Sequence, residues 1–233
     1  MYNWQHKNWP EFKFDSSSID NKLMKFMLKA GELKGITSAL PEAIGTDSII
    51  QIMVSEAIKT SEIEGETINR SDAMSSIRKN LGLPISKEPK DKNAIGLSHL
   101  LIDVRNSYKQ ELTESKILEW HKLLMGNNKR INAGSWRKGT APMQVISGSA
   151  SDPKIHFVAP PSKMVPKEMK RFIEWYNKSE ISSPIIKAAI AHLYFESIHP
   201  FEDGNGRIGR AIAEKALSQG IDNPIMFSIS KSI

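Results

Sequence analysis

Apolar residues recur at helical spacing through most of this chain. From Asp47 they fall at Ile50, Met53, Val54, Ala57 and Ile58, and the run ends at Gly65, a residue type that commonly closes a helix. A short helix through Met74, Ile77 and Leu81 follows and closes at Gly82. The stretch LPISKEPKDKN then reads as a surface loop, its prolines and lysines suiting no regular element, and it marks the best internal boundary. Beyond it the pattern predicts a helix around Ile95 to Tyr108. Another starts after Thr113, buries Ile117, Trp120 and Leu124, and stops at Gly126. The period changes between 140 and 161, where MQVISG and KIHFVAP are β-prone runs joined by the small, polar SASD; this predicts an exposed hairpin. Helical spacing resumes at Val165, Met169, Phe172, Ile173 and Tyr176, with Pro166 tolerated in the first turn. Ser183-Pro184 reads as an N-cap followed by proline at the first helical position. It opens a mostly apolar helix through Ile190 and Phe195, of the kind found at the centre of a bundle. With no internal repeat, the expected architecture is a helical bundle carrying one hairpin.

Composition narrows the setting more than the chemistry. The 233 residues are 39% apolar, enough for a folded core, and the absence of cysteine excludes disulfides and thiolate metal sites. The opening MYNWQHKNWPEF lacks the pattern of a signal peptide, and no apolar run approaches membrane-spanning length, so a soluble, cytoplasmic protein without a membrane partner is expected. A net charge of +6, from 32 basic against 26 acidic residues, is scattered. The basic stretch NNKRINAGSWRKG has no recognition helix or stacking platform beside it, so nucleic acid is not the expected partner. The aromatic start, with Trp4, Trp9, Phe12 and Phe14, is expected to anchor against the body.

Positions 199 to 210, HPFEDGNGRIGR, concentrate the candidate chemistry. Pro200 disfavours helical geometry at His199, so the central helix should end there with the imidazole at a helix-to-loop junction. Alanine-rich RIGRAIAEKAL, with Ile208 and Ile212 on one face and Gly220 as the stop, begins a second helix near Asn205 or Gly206. The intervening glycines let backbone N–H groups approach a ligand at the positive end of the new helix, which makes an anion site. Arg207 and Arg210, three apart, can grip successive phosphates, and Asp203 beside an anion site argues for a divalent cation between them. The parts describe a magnesium-nucleotide grip with a histidine base. GNGRIG also satisfies GxGxxG, but a helix-like segment stands where the dinucleotide fold needs a strand. His192, Glu196 and His199 at i, i+4 and i+7 hint at a metal, yet a single ExxH followed by proline is poor evidence for a carboxylate-bridged pair. A plain helix cap with surface arginines remains the structural alternative.

These twelve residues resemble the signature of the Fic (filamentation-induced) family, HPFx[D/E]GNGRxxR, at every specified position. The upstream segments LTESKILEWHKLLM, AGSWR and FVAPPSKM are similar to the family's helix, its turn and the segment after its flap, so the resemblance covers at least residues 113 to 212. It implies an all-α Fic-type bundle with one small β-hairpin and, for most members, transfer of AMP from ATP to a Ser, Thr or Tyr hydroxyl of a target protein. On that resemblance His199 would be the base and Asp203 the Mg²⁺ ligand. Gly204, Asn205 and Gly206 would form the anion cradle, Arg207 would bind phosphate and Arg210 the γ-phosphate, while Pro200 and Phe201 would shape the loop. Gly206 stands where the kinase-like Doc branch carries lysine, which favours nucleotidyl transfer. The hairpin between Met143 and Val158 resembles the flap that aligns a target segment by main-chain pairing.

Glu64, near a helix C-terminus, faces the negative end of the dipole and needs compensation. Thr60-Ser-Glu-Ile-Glu64-Gly65 resembles the family's inhibitory motif, [S/T]xxxE[G/N], in which the glutamate pairs with the second signature arginine, here Arg210. The chain would then divide into an N-terminal helical region, 1–92, carrying the inhibitory motif, and a catalytic core, 93–233. Three other readings stand beside adenylylation: removal of AMP from modified protein, transfer of another nucleotide, and a non-catalytic nucleotide-sensing module. The target protein is unidentified, and self-modification and an oligomer are both compatible with the residues. Many members continue past the core, some with a DNA-binding winged helix, so the ending FSISKSI is compatible with a piece of a longer chain.

Overall fold

The computed structural model describes residues 1–149 and 152–232. After a single 3-10 turn at Asn3–Gln5 come α1 (Asp20–Ala39), α2 (Glu42–Ile63), α3 (Arg70–Asn80), α4 (Lys92–Asn106) and α5 (Glu114–Met125). The antiparallel strands β1 (Gln144–Ser149) and β2 (Asp152–Val158) follow, then α6 (Val165–Lys178), α7 (Pro184–Ile198) and α8 (Asn205–Gly220). The regular secondary structure of the described residues is therefore helical apart from one two-stranded hairpin, in line with the sequence pattern. The expected SASD connector falls largely on residues 150 and 151, outside the described residues. No described helix is long and apolar enough to cross a membrane.

Helices α7 and α8 form the centre. Ala188, Ala191, Ala211 and Ala216 are small enough to bring the two helix axes close, while Ile190, Tyr194, Phe195, Ile208 and Ile212 fill the layers on either side. Apart from Ala159 and Ile190, the buried apolar residues form one cluster running from Ile50 in α2 to Ile225 beyond α8. An aromatic stack extends it toward the N-terminus: Trp9 meets Tyr194 edge-on at 5.0 Å and donates from Nε1 to Glu168 at 2.8 Å, and Phe12 packs 5.2 Å from Tyr194. Trp9 and Phe12 thus anchor the N-terminal arm, whereas Phe14 is exposed and does not.

Several boundaries differ from the sequence pattern. The helix expected from Asp47 begins five residues earlier, at Glu42, with Pro41 immediately before its first turn. Helix α1 carries no signal of the expected kind, because none of its residues is buried; Leu, Met, Lys and Ala sustain it by propensity, and Phe26 touches Phe227 at 5.5 Å. Ser183 takes the N-cap position of α7, but its side chain makes no cap bond. Gly220 is the last residue of α8 rather than its stop. The chain turns at Asp222, which adopts φ 47°, with Asn223 N–H bonded to Ser218 O and Asp222 N–H to Gln219 O. Gly220 serves packing instead, since a Cβ there would collide with the ring of Pro184 at the start of α7.

Helix α5 supplies the support under the 199–205 turn. Thr113 caps it, its hydroxyl accepting from Lys116 N–H at 3.1 Å, and the helix carries His121 into the core with no exposed surface. Gly134 N–H donates to His121 Nδ1 at 2.9 Å, so the proton sits on Nε2, which donates to Asp203 O at 3.2 Å. The ring stacks on Phe201 at 3.8 Å and 11°. Burial pushes the His121 pKa down to about 4, against opposing contributions from Asp203 and Glu202.

Two outcomes follow from this packing. Gly220→Ala should cost about 1–3 kcal/mol by overpacking against Pro184, read as a lower urea midpoint with an unchanged slope. The folded pKa of His121 lies below its unfolded value, so its contribution is complete above about 6.5 and is lost as pH falls toward 4. The wild type should therefore lose up to about 2 kcal/mol more than His121→Gln between pH 7 and pH 5 in urea titrations.

Candidate functional site

The site is built on the abrupt end of α7. His199 closes the helix in the left-handed region, φ 50° and ψ 61°, outside the right-handed helical geometry that Pro200 disfavours but also outside the extended geometry usual before proline. A non-glycine residue there costs about 1–2 kcal/mol, and one side chain holds the conformation in place. Arg137, from the AGSWR segment, is buried; its Nε donates to His199 O at 2.7 Å and its Nη2 to Pro160 O at 2.5 Å and Ile198 O at 3.4 Å. Its own N–H donates to Pro200 O at 2.9 Å. One guanidinium thus satisfies carbonyls at the negative end of α7 and fixes the exit of the hairpin to the same point.

The turn then descends and returns. Phe201 is fully buried between His121, Trp136 and Phe195. Asn205 clamps it: Oδ1 accepts from Phe201 N–H at 2.9 Å and Nδ2 donates to Phe201 O at 2.9 Å. The Asn205 side chain is therefore a staple for the loop, and only its backbone is available to an anion. Asp203 Oδ1 accepts from Gly204 N–H at 2.6 Å and lies 3.4 Å from Arg207 Nη2. Gly204 has φ 81°, a conformation that favours glycine, and precedes the free N–H groups of the first turn of α8.

That first turn already has an anion against it. Helix α2 ends in a tight reverse bend, with Gly65 at φ 73°, Gly65 N–H bonded to Glu62 O at 3.0 Å and Glu66 N–H to Ser61 O at 2.9 Å. The bend aims two carboxylates at α8. Glu64 Oε1 lies 2.6 Å from Arg210 Nη2, and it lies so close to Gly206 that a Cβ there would overlap the carboxylate. Arg210 also donates from Nε to the Thr60 hydroxyl at 2.7 Å and from Nη2 to Thr60 O at 3.0 Å. Glu66 takes the other arginine, at 2.5 Å from Arg207 Nη1. Both guanidiniums are nearly inaccessible, at 4% and 7% exposure, and each has a carboxylate partner.

Every residue singled out in the sequence thus gathers around one turn: His199, Pro200, Phe201, Asp203, Gly204, Asn205, Gly206, Arg207 and Arg210, with Thr60, Glu64 and Gly65 facing them. The sequence pattern alone does not reveal Glu66, Arg137 or His121. Glu66 repeats the acidic character of Glu64 two residues later, a signal present in the chain; the carbonyl cluster around Arg137 has no local signature. The imidazole of His199 is partly accessible, with Nδ1 at 3.4 Å from Glu196 Oε2. Glu196 Oε1 and His192 Nε2 are buried without hydrogen-bond partners among the described residues, and both crowd the backbone of Gly209. Burial lowers the His192 pKa, with the nearby Glu196 carboxylate opposing it. His192, Glu196 and His199 do not make a metal centre; no group of three or more such residues suited to a metal occurs among the described residues.

Comparison with known proteins gives the same turn a context. Residues 111–217 match the family model described as "Fic/DOC family", and residues 2–83 match a "Domain of unknown function (DUF4172)". The "Protein adenylyltransferase Fic" of Drosophila erecta is 29% identical over 168 residues, 70% of this chain and 32% of that protein. The "Protein adenylyltransferase fic-1" of Caenorhabditis elegans is 25% identical over 176 residues, 73% of this chain and 32% of that protein. The chain therefore spans about a third of the length of these relatives. A crystal structure of a Fic family protein from Desulfovibrio desulfuricans G20 superposes with a TM-score of 0.60 at 25% identity, covering 90% of this chain and 59% of that one. A Fic domain containing signaling protein from Bacteroides thetaiotaomicron VPI-5482 gives 0.65 at 20% identity, over 84% and 72%, a likeness of fold. Residues 111–217 therefore fit the Fic/DOC family model and carry its whole signature on the expected helix-turn-helix frame.

Proposed function

We propose that this chain is a protein adenylyltransferase held in check by its own N-terminal region, with residues 1–92 as the inhibitory arm and 93–233 as the catalytic core. The observation that carries the reading is the carboxylate of Glu64 seated between Gly206 and Arg210. The guanidinium that pairs with this carboxylate can pair with a phosphate in its place, beside the N–H groups of the helix N-terminus. The relatives named as adenylyltransferases support ATP as the nucleotide and a protein as the acceptor.

His199 removes the proton from an acceptor hydroxyl as its oxygen attacks the α-phosphorus of ATP. The bond from that phosphorus to the bridging oxygen breaks, pyrophosphate leaves, and AMP remains on the acceptor oxygen. Arg207 and Arg210 hold the phosphates in line, and the first-turn N–H groups of α8 offset charge that develops on the α-phosphate. Asp203 fits as the protein ligand of Mg²⁺. Its contacts among the described residues run through Oδ1, and one carboxylate completed by phosphate oxygens and water is the arrangement this cation favours. When bound, the cation neutralises phosphate charge.

In this reading Glu64 and Glu66 both compete with the triphosphate, Glu64 for Arg210 and Glu66 for Arg207. Freeing an arginine from a charge-assisted bond worth about 1.5–3 kcal/mol should raise activity by roughly 10- to 100-fold. Intact-mass spectrometry after incubation with Mg-ATP should show one added adenylyl group on the Glu64→Gly protein or its acceptor, with little on the wild type. Glu66→Gln should strengthen nucleotide binding, read by calorimetry, and should add to the effect of Glu64→Gly. Adding His199→Ala to Glu64→Gly should lower transfer by about 10²–10⁴-fold while ATP still binds. Equal labelling of wild type and the Glu64 variant removes the inhibitory role, and bound ATP with no mass gain in any variant makes the chain a sensor instead.

A further inference from the structure

A cavity of about 420 Å³ opens beside His199, and neither Arg207 nor Arg210 lines it. Its walls include Tyr2, Val145 of β1, Phe157 of β2, and Leu193, Glu196 and His199 at the end of α7. Leu193 is 52% exposed and Val145 40% exposed, and the paired Ile146 and Ile155 continue the apolar strip along the hairpin. Bulky aliphatic side chains left in water next to a reactive imidazole mark a surface meant to be covered.

The N-terminal segment completes this cavity. The Tyr2 ring meets Phe157 edge-on at 5.2 Å, Trp4 Nε1 donates to Val158 O at 2.7 Å, and the Asn3 amide donates to Ser197 Oγ. Residues 2–4 therefore clip the base of the hairpin to α7, and they do so from a segment that lies more than a hundred residues from the catalytic turn in sequence. Glu196 lines the cavity beside the imidazole: its Oε1 is buried near Gly209, while its Oε2 lies 3.4 Å from His199 Nδ1. An occupant of this cavity meets mainly apolar walls, with Asn3, Ser197, Glu196 and the imidazole as its polar lining.

We infer that the cavity seats a bulky apolar side chain adjacent in sequence to the acceptor hydroxyl, and that Tyr2 and Leu193 select it. The partner is an extended protein segment in which a Leu-, Ile- or Phe-type residue neighbours the modified Ser, Thr or Tyr. This rests on the adenylyl-transfer reading above for the role of the hydroxyl, while the cavity's preference for an apolar side chain stands on the geometry alone.

The test uses blocked nonapeptides with a central Ser, Thr or Tyr in an Ala/Gly/Ser frame, flanked by Leu, Lys or Asp. They are titrated into the methyl-labelled full chain and read by NMR. Leu-flanked peptides should shift the Leu193 and Val145 methyls saturably and bind at least about fivefold more tightly than the charged series. Leu193→Asp, an exposed position that tolerates charge in the fold, should erase the preference, and Tyr2→Ala should reduce it. Equal affinity across the series, shifts confined elsewhere, no saturable shift, or a preference that survives both substitutions overturns the inference. A parallel arm supplies Mg-ATP and the same peptides to the Glu64→Gly protein. Preferential binding without adenylyl transfer overturns the adenylyltransferase reading and leaves the cavity's preference standing; transfer without preference overturns the cavity's role and leaves the reaction.

Discussion

The Arg137 guanidinium, sunk among the carbonyls of Pro160, Ile198 and His199, organises everything around it. A helix that ends in the interior leaves carbonyls without partners, and an unpaired buried carbonyl costs about 1–3 kcal/mol. Arg137 answers that need from a third segment, so the end of α7, the exit of the hairpin and the entry to the 199–205 turn become one fixed body. His199 can then occupy an unfavourable backbone conformation without the loop relaxing away from it. The stack of His121 on Phe201 and the clamp of Asn205 on the Phe201 backbone extend the same rigidity to the start of α8. For the proposed adenylyl transfer such rigidity would matter, since alignment and charge lower most of the barrier to group transfer at phosphorus.

On that fixed frame the arginines pose an electrostatic problem. Two nearly inaccessible guanidiniums, one turn apart beside a helix N-terminus, form a concentration of positive charge that is costly to leave unpaired. The bend at the end of α2 supplies two carboxylates to it. The Glu64 carboxylate is unfavourable beside the C-terminus of its own helix and favourable beside the N-terminus of another. This exchange of dipoles explains why an acidic residue is tolerated where local rules disfavour it.

Much of this is legible in the residues themselves. The seven helices from α2 to α8 follow apolar spacing, and the hairpin announces itself by a change of period. The turn at 199–210 combines a histidine before proline, three glycines and spaced arginines, a set whose joint purpose follows from the chemistry of those side chains and their order. What escapes such a reading is whatever has no local signature. Helix α1 buries nothing, so it carries no stripe to read. Gly220 looks like a helix stop but makes room for Pro184, a contact between residues 36 positions apart that only the packed helices reveal. Arg137 reads as one more surface cation until the carbonyls around it are assembled. Glu66 sits in plain view beside Glu64, and only the direction imposed by the Gly65 bend gives it a partner.

The left-handed backbone at His199 filters what can ever stand at that position. Asparagine, aspartate and glycine enter that region of conformational space with little resistance, whereas valine, isoleucine and threonine are repelled by their branched β-carbons. Any side chain at residue 199 must therefore suit the shape of the backbone before its chemistry counts. A substitute that suits the shape but lacks a basic nitrogen separates the two contributions, and asparagine is that substitute.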